Sequence, residues 1–156
     1  GRYSQEGRYL MRELQHLAPT LKTHLLDPAM PPEELDRAKQ EAAGCSVDVV
    51  AAFVTVAAYR GNVALPGHFP DFVNALTAAK APVILVSLGN PYLVRNFPKV
   101  AAYLATFSTT STSEIAAAKA LMGIIPIGGK LPVTIPGIAK YGDGLSIPAA
   151  PKGPTQ

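Results

Sequence analysis

Ala81-Pro82-Val83-Ile84-Leu85-Val86-Ser87-Leu88-Gly89-Asn90-Pro91-Tyr92 is the stretch whose reading decides the fold. After Pro82 it runs apolar and β-branched without alternation, then stops at Gly-Asn-Pro. A continuous apolar run between turn residues reads as a strand buried on both faces, the kind found mid-sheet in parallel α/β folds. Ligands of open α/β sheets gather at the carboxyl ends of such strands, so Gly89 to Tyr92 is the first place to look for function. The same residues also make a plain turn, because glycine supplies positive φ and proline ends ladder pairing.

On the amino-terminal side, Val47 to Ala58 is a second apolar run, again predicted as a strand buried on both sides and followed by a Tyr59-Arg60-Gly61-Asn62 loop. Further back, Tyr9, Leu10, Glu13, Leu14 and Leu17 recur at helical spacing, which predicts a helix over 1–17 ended by Pro19. Leu21 to Leu26 alternates weakly and predicts a short edge strand. Pro31-Pro32-Glu33-Glu34 puts proline and acids in the first turn of a helix that runs to Ala43, with Gly44 as its C′ residue. Phe69, Phe72, Val73 and Leu76 line the inner face of a helix over 69–79.

On the carboxyl side, a short helical piece is expected over 93–97 and a strand over 100–107. The hydroxyl-rich stretch 108–113 leads into a helix over 114–122, capped by Thr112 or Ser113 with Glu114 in its first turn. Gly123 stops that helix. Leu131-Pro132-Val133-Thr134-Ile135-Pro136 reads as a last edge strand, because its prolines cannot serve a central ladder. The rhythm of strands and helices predicts an α/β fold: a three-layer α/β/α sandwich with a mostly parallel sheet and an edge strand near the C-terminus. Residues 1–147 are expected to form one domain and 148–156 an irregular tail.

At 156 residues and 48% hydrophobic content, the chain can bury a full-sized core. It does not begin with Met, which predicts a piece of a longer or processed polypeptide. No apolar run reaches the length of a membrane span, so no membrane partner is expected. The net charge of +3 comes from scattered groups such as Arg2, Arg8, Arg12, Lys130, Lys140 and Lys152. With no Trp to stack bases, a nucleic-acid partner is not expected either. Cys45 is the single cysteine, is expected to be a buried inert thiol, and leaves the cellular compartment open, cytoplasmic or exported.

Motifs for chemistry are sparse. No Gly-x-Gly-x-x-Gly follows a strand, and Gly129-Lys130 is followed by Leu131 where a phosphate loop needs Ser or Thr. Cofactors are therefore expected to be none. Ser87-Leu88-Gly89 lacks the leading glycine of a nucleophile elbow, since Leu85 stands there. His16, His24 and His68 fit no metal spacing, so no metal is expected. Asp27, Asp48, Asp71, Glu114 and Asp143 are carboxylates by type, yet each has a turn, strand-start or helix first-turn explanation. No pair is placed for general acid–base work, so no catalytic residue is assigned. A small hydrolase site assembled from Asp27, Ser87 and a histidine is a weaker alternative.

Several segments occur together in order: Pro82 to Tyr92, Ala102-Tyr103-Leu104-Ala105-Thr106-Phe107, Gly129-Lys130-Leu131-Pro132-Val133-Thr134-Ile135-Pro136 and Gly142-Asp143-Gly144-Leu145. This series resembles the C-terminal domain of family 3 glycoside hydrolases, in the branch of the bacterial β-N-acetylglucosaminidases (β-N-acetylhexosaminidases). The resemblance is specific from about Val47 to Leu145. It implies an α/β sandwich that follows a catalytic (β/α)₈ barrel. In that family the barrel carries the nucleophilic Asp, and in this branch also a His–Asp acid/base pair on a Lys-His-x-Pro-Gly loop. Neither is in this chain, and Pro66-Gly67-His68 has no Lys-His before it. In the β-glucosidase branch a Glu acid/base comes from the loop matching 59–64, which here holds no acid.

The resemblance thus implies a non-catalytic domain, inactive by itself, that packs on the barrel and borders an amino-sugar cleft. Tyr59, Arg60, Asn90 and Tyr92, on loops at strand carboxyl ends, are the candidate border residues; turn formation and packing are the plainer explanation of them and rank ahead. The alternative from another class is an independent carbohydrate- or protein-binding module.

Overall fold

The computed structural model describes residues 5–55 and 63–151. Three strands, β1 (Asp48–Val54), β2 (Val83–Gly89) and β3 (Ala102–Thr106), form a parallel sheet in the order β1-β2-β3. Asp48 stands opposite Val83 and Val54 opposite Gly89; on the other side of β2, Ile84 stands opposite Ala102 and Leu88 opposite Thr106. Around the sheet lie α1 (Arg8–Leu17), α2 (Pro32–Ala42), α3 (Phe69–Ala78), α4 (Ser111–Leu121) and a 3-10 helix, Pro91–Asn96.

The central strand explains the layering. Val83 and Leu85 enter one core, with Leu35 and Ala38 of α2, Phe72, Val73 and Leu76 of α3, and Leu93 and Phe97 at the 3-10 helix. Val86 and Leu88 enter the other, closed by Leu10 and Leu14 of α1 and by Ala117 and Ala118 of α4. β1 divides likewise: Ala52 and Val54 face the first core, Ala51 and Phe53 the second. Leu85, Val86 and Leu88 are each 0% exposed, so β2 is the two-faced strand that its unbroken apolar run predicts. Each such side chain stabilises the fold by roughly 1.5–3 kcal/mol. The expected α/β sandwich, helices on both faces of a parallel sheet, is what forms.

Several boundaries differ from expectation. Residues 21–26 form no strand; within them the backbone makes one bond, from Leu21 N–H to the Ala18 carbonyl, because no neighbour among the described residues offers a ladder. The strand expected over 47–58 is β1, ending at Val54, and residues 56–62 lie outside the described part. It sits at the sheet edge and is not buried on both sides, with Val49 at 39% exposure. Gly44 does not close α2 in a left-handed conformation; Ala43 caps it with right-handed geometry. Cys45 is half-buried, its thiol pointing at the Glu41 carbonyl.

The edge strand expected near the C-terminus is absent. Pro132 and Pro136 lack the N–H groups a ladder needs, and residues 123–150 fold back as a loose hairpin. Ala150 N–H donates to the Gly123 carbonyl, Ile127 and Ile147 exchange bonds at 2.8 Å, Leu131 meets Asp143 and Gly142, and Ile135 pairs with Ala139 at the tip. Tyr141 and Leu145 on this hairpin are 75% and 76% exposed.

Candidate functional site

The carboxyl end of β1 and the loop that leaves β3 meet the end of β2 at Gly89. Its φ is +105°, and a Cβ there would lie 2.5 Å from the Val54 carbonyl oxygen and 3.2 Å from the Thr109 methyl. Only glycine fits between the end of β1 and the loop that leaves β3. The turn is then locked by its own polar groups. Ser87 Oγ donates to the Asn90 carbonyl at 2.6 Å, Asn90 Oδ1 accepts from Tyr92 N–H at 2.9 Å, and Tyr103 Oη donates to the Pro91 carbonyl at 2.8 Å. Asn90 therefore nucleates the 3-10 helix with Pro91 at its first position. Burial raises the Tyr103 pKa above 10, partly offset by hydrogen bonding with Ser87 and the Val94 backbone.

Of the four candidate border residues, Tyr59 and Arg60 lie outside the described residues. Asn90 is 5% exposed and its side-chain oxygen is engaged within the turn, whereas Tyr92 is half-buried beside it. Beyond Gly89, the β3–α4 loop is rich in hydroxyls: Thr106 Oγ1 donates to the Ser108 carbonyl, and Thr110 Oγ1 lies 3.0 Å from Thr112 Oγ1. The N-cap of α4 is Thr110, not Thr112 or Ser113, and it makes no side-chain capping bond.

The carboxylates do not converge on this loop cluster. Asp48 begins β1, at the opposite end of the sheet, and burial raises its pKa. Asp27 Oδ1 accepts from Ala29 N–H, and Asp143 Oδ2 from Lys140 N–H, each within its own turn. Glu114 is the finding that the sequence reading missed. It is 2% exposed, and its Oε2 accepts the backbone N–H of Leu10, 104 residues away, at 2.9 Å. That N–H is one of the orphan donors in the first turn of α1, whose N-cap is Gly7 and whose first turn holds no acid. Glu114 is thus an imported cap. Gly7, as N-cap, offers no side-chain acceptor of its own, which is the one trace of this arrangement in the sequence.

Asp36 and Asp71 line a shallow groove of about 170 Å³ between α2 and α3, together with Lys39, His68 and Phe72 among others. It falls short of the roughly 300–1,000 Å³ of ligand pockets. Asp36 is paired there with Lys39. The serine–histidine alternative also fails. Ser87 is 0% exposed, flanked in register by Ala52 and Ala105, and its hydroxyl is committed to Asn90. His24 is not in a strand and instead faces Glu41 at 3.3 Å; His68 is the exposed N-cap of α3. Among the described residues no three His, Cys, Asp or Glu side chains gather to hold a metal, and no helix is long and apolar enough to cross a membrane.

Residues 1–150 match the family model described as glycosyl hydrolase family 3 C-terminal domain. In three dimensions the chain is similar to a glycoside hydrolase family 3 β-N-acetylglucosaminidase from Paenibacillus sp. str. FPU-7. The TM-score is 0.68 at 21% identity, over 81% of this chain and 23% of that one. It is also similar to a fungal multi-domain family 3 β-N-acetylglucosaminidase described with a GCN5-related glucosamine N-acetyltransferase region. Here the TM-score is 0.66 at 18% identity, over 86% of this chain and 14% of that one. At these identities the likeness is one of fold, and in both cases the matched region is a minor part of a longer chain. No curated protein sequence matches this one.

Proposed function

The chain belongs to the glycosyl hydrolase family 3 C-terminal domains, and from that membership we propose that it is the non-catalytic C-terminal domain of a bacterial β-N-acetylhexosaminidase. In this reading residues 1–147 are the domain, 148–156 its tail, and a catalytic barrel elsewhere in the parent polypeptide is its partner. The supporting observation is the fate of Glu114. The one buried carboxylate among the described residues is used up as a helix cap, whereas glycoside cleavage requires both an acid and a nucleophile.

The domain's contribution to substrate is then the rim of the cleft. Tyr59, Arg60, Asn90 and Tyr92 are the residues proposed for it; the first two come after β1 in the sequence and the others lie in the turn after β2. Asn90 acts by fixing the turn, and Tyr92 offers its ring to an amino sugar across the domain boundary. The purified chain, assayed with an aryl N-acetylglucosaminide, is expected to give no turnover and, by calorimetry, no binding of N-acetylglucosamine oligomers. Turnover would refute the non-catalytic role; tight binding by the chain alone would favour an independent carbohydrate-binding module.

A further inference from the structure

Among the described residues no strand pairs with the outer edge of β1. Asp48 N–H donates to the Pro82 carbonyl at 3.0 Å, which fixes the phase of the strand. Alternate residues of a parallel strand direct both backbone groups to the same neighbour. Asp48, Val50, Ala52 and Val54 therefore serve β2, and the N–H and C=O groups of Val49, Ala51 and Phe53 point outward. Among the described residues none of these has a hydrogen-bond partner, and neither have the backbone groups of residues 22–26. Nothing in Val49-Val50-Ala51-Ala52-Phe53-Val54 protects that edge: it holds no charge and no proline.

The helix layers say what belongs there. α3 and the 3-10 helix lie on one face and carry the chain from β1 to β2 to β3 in one direction. Crossovers between parallel strands are right-handed, so a helix on that same face always steps the chain in that direction. α2 is on that face, which places residues 21–26 beyond the open edge of β1. α1 is on the opposite face, so it steps the chain the other way. A strand feeding α1 would therefore lie between residues 21–26 and β1. The packing agrees: a Cβ on Gly7, the N-cap of α1, would sit 3.4 Å from the Phe53 ring and 3.7 Å from Leu25 Cδ1, astride the two sides.

We propose that β1 and residues 21–26 are the two lips of a slot for a parallel strand of about six apolar residues, delivered by the polypeptide upstream of residue 1 and leading into α1. The completed sheet runs 21–26, inserted strand, β1, β2, β3, with the direction of progression reversing beside β1. That reversal is where doubly wound sheets open a ligand crevice, and β1 is the strand after which the chain continues to Tyr59 and Arg60. The inserted strand makes the sheet continuous and turns residues 21–26 into the edge strand that their alternation predicts. This inference stands on handedness and open backbone groups, apart from the hydrolase reading.

The test compares residues 1–156 with the same chain extended by its own upstream coding sequence, using amide hydrogen exchange. In the shorter chain Val49, Ala51 and Phe53 are expected to exchange at least about tenfold faster than Val50 and Ala52, and to reach equal protection in the extended one. Equal protection in the shorter chain, persistent fast exchange in the extended chain, or an upstream sequence without an apolar segment would each overturn the proposal. Ala51→Pro is the second variant. Proline is tolerated where its missing N–H faces solvent, so it should leave the Tm of the shorter chain unchanged and cancel the Tm gain of the extended one. Destabilisation of both alike would count against the slot. Hydrolase activity enters none of these readouts.

Discussion

The two helical layers are built on different terms. In the layer of α2 and α3, each helix carries its own start. Pro32 opens α2 with Glu33 and Glu34 in the first turn, and α3 has a proline in its first two positions with Asp71 following. Its core, from Leu35 to Phe97, contains no charge. In the layer of α1 and α4, α1 has a glycine N-cap at φ +83° and no acid of its own, and takes its acceptor from Glu114 on α4. Lys119 and Glu13, 3.9 Å apart, run between the same two helices. One layer is a set of helices that start on proline and acids of their own and are held by apolar burial. The other is a pair in which one helix is finished by its neighbour.

The comparison can be tested by substitution. The largest effect belongs to the charge-free layer: Phe97→Ala, at a site 1% exposed, should cost about 3–5 kcal/mol in urea unfolding. A loss under half of that would mean the layer is looser than its burial implies. Glu114→Ala comes next. It leaves a buried N–H on α1 without a partner and should cost about 2–3 kcal/mol, with exchange of the α1 amides accelerated ahead of those in α2. Glu114→Gln keeps an acceptor oxygen and should retain much of the stability. If Glu114→Ala is neutral, the imported cap is not what holds α1.

Tyr103→Phe should cost about 1 kcal/mol by removing the bond to Pro91. It should also change the alkaline limb. Because the folded-state pKa of Tyr103 is raised above 10, the unfolded chain ionises first, so stability is intact below pH 10 and falls as pH climbs from there through the folded pKa. The variant should lose that part of the slope. The smallest effect is at Asp48, whose folded pKa is raised above 3.8 by burial. Its contribution favours folding below pH 3.8 and is lost as pH rises through the folded value. Asp48→Asn should therefore raise the Tm slightly at neutral pH and leave it unchanged in strong acid.

The same contrast explains what could be read in advance. The span of α2 was legible because proline and acids mark its start. That of α3 was legible because Phe69, Phe72, Val73 and Leu76 keep helical spacing on its inner face. The start of α4 was missed by three residues, because Ser108, Thr110, Thr112 and Ser113 are all chemically fit to cap and only packing selects among them. Glu114 read as a dipole partner for its own helix; its use by α1 depends on a contact across 104 positions. At the candidate site, the Gly89–Tyr92 turn was legible, but the engagement of Asn90 by Tyr92 and of Ser87 by Asn90 was not. Residues 21–26 alternate as a strand should, yet a strand exists only against a neighbour.

The sequence alone determined the two-faced burial of β2 and the parallel α/β sandwich. Those follow from periodicity, turn residues and residue type, which act over a few positions along the chain. The tertiary structure decided the work of Glu114, the edge position of β1 with its outward backbone groups, and the hairpin of 123–150. Each of these depends on which distant segment lies alongside, and short-range patterns in the chain do not encode that.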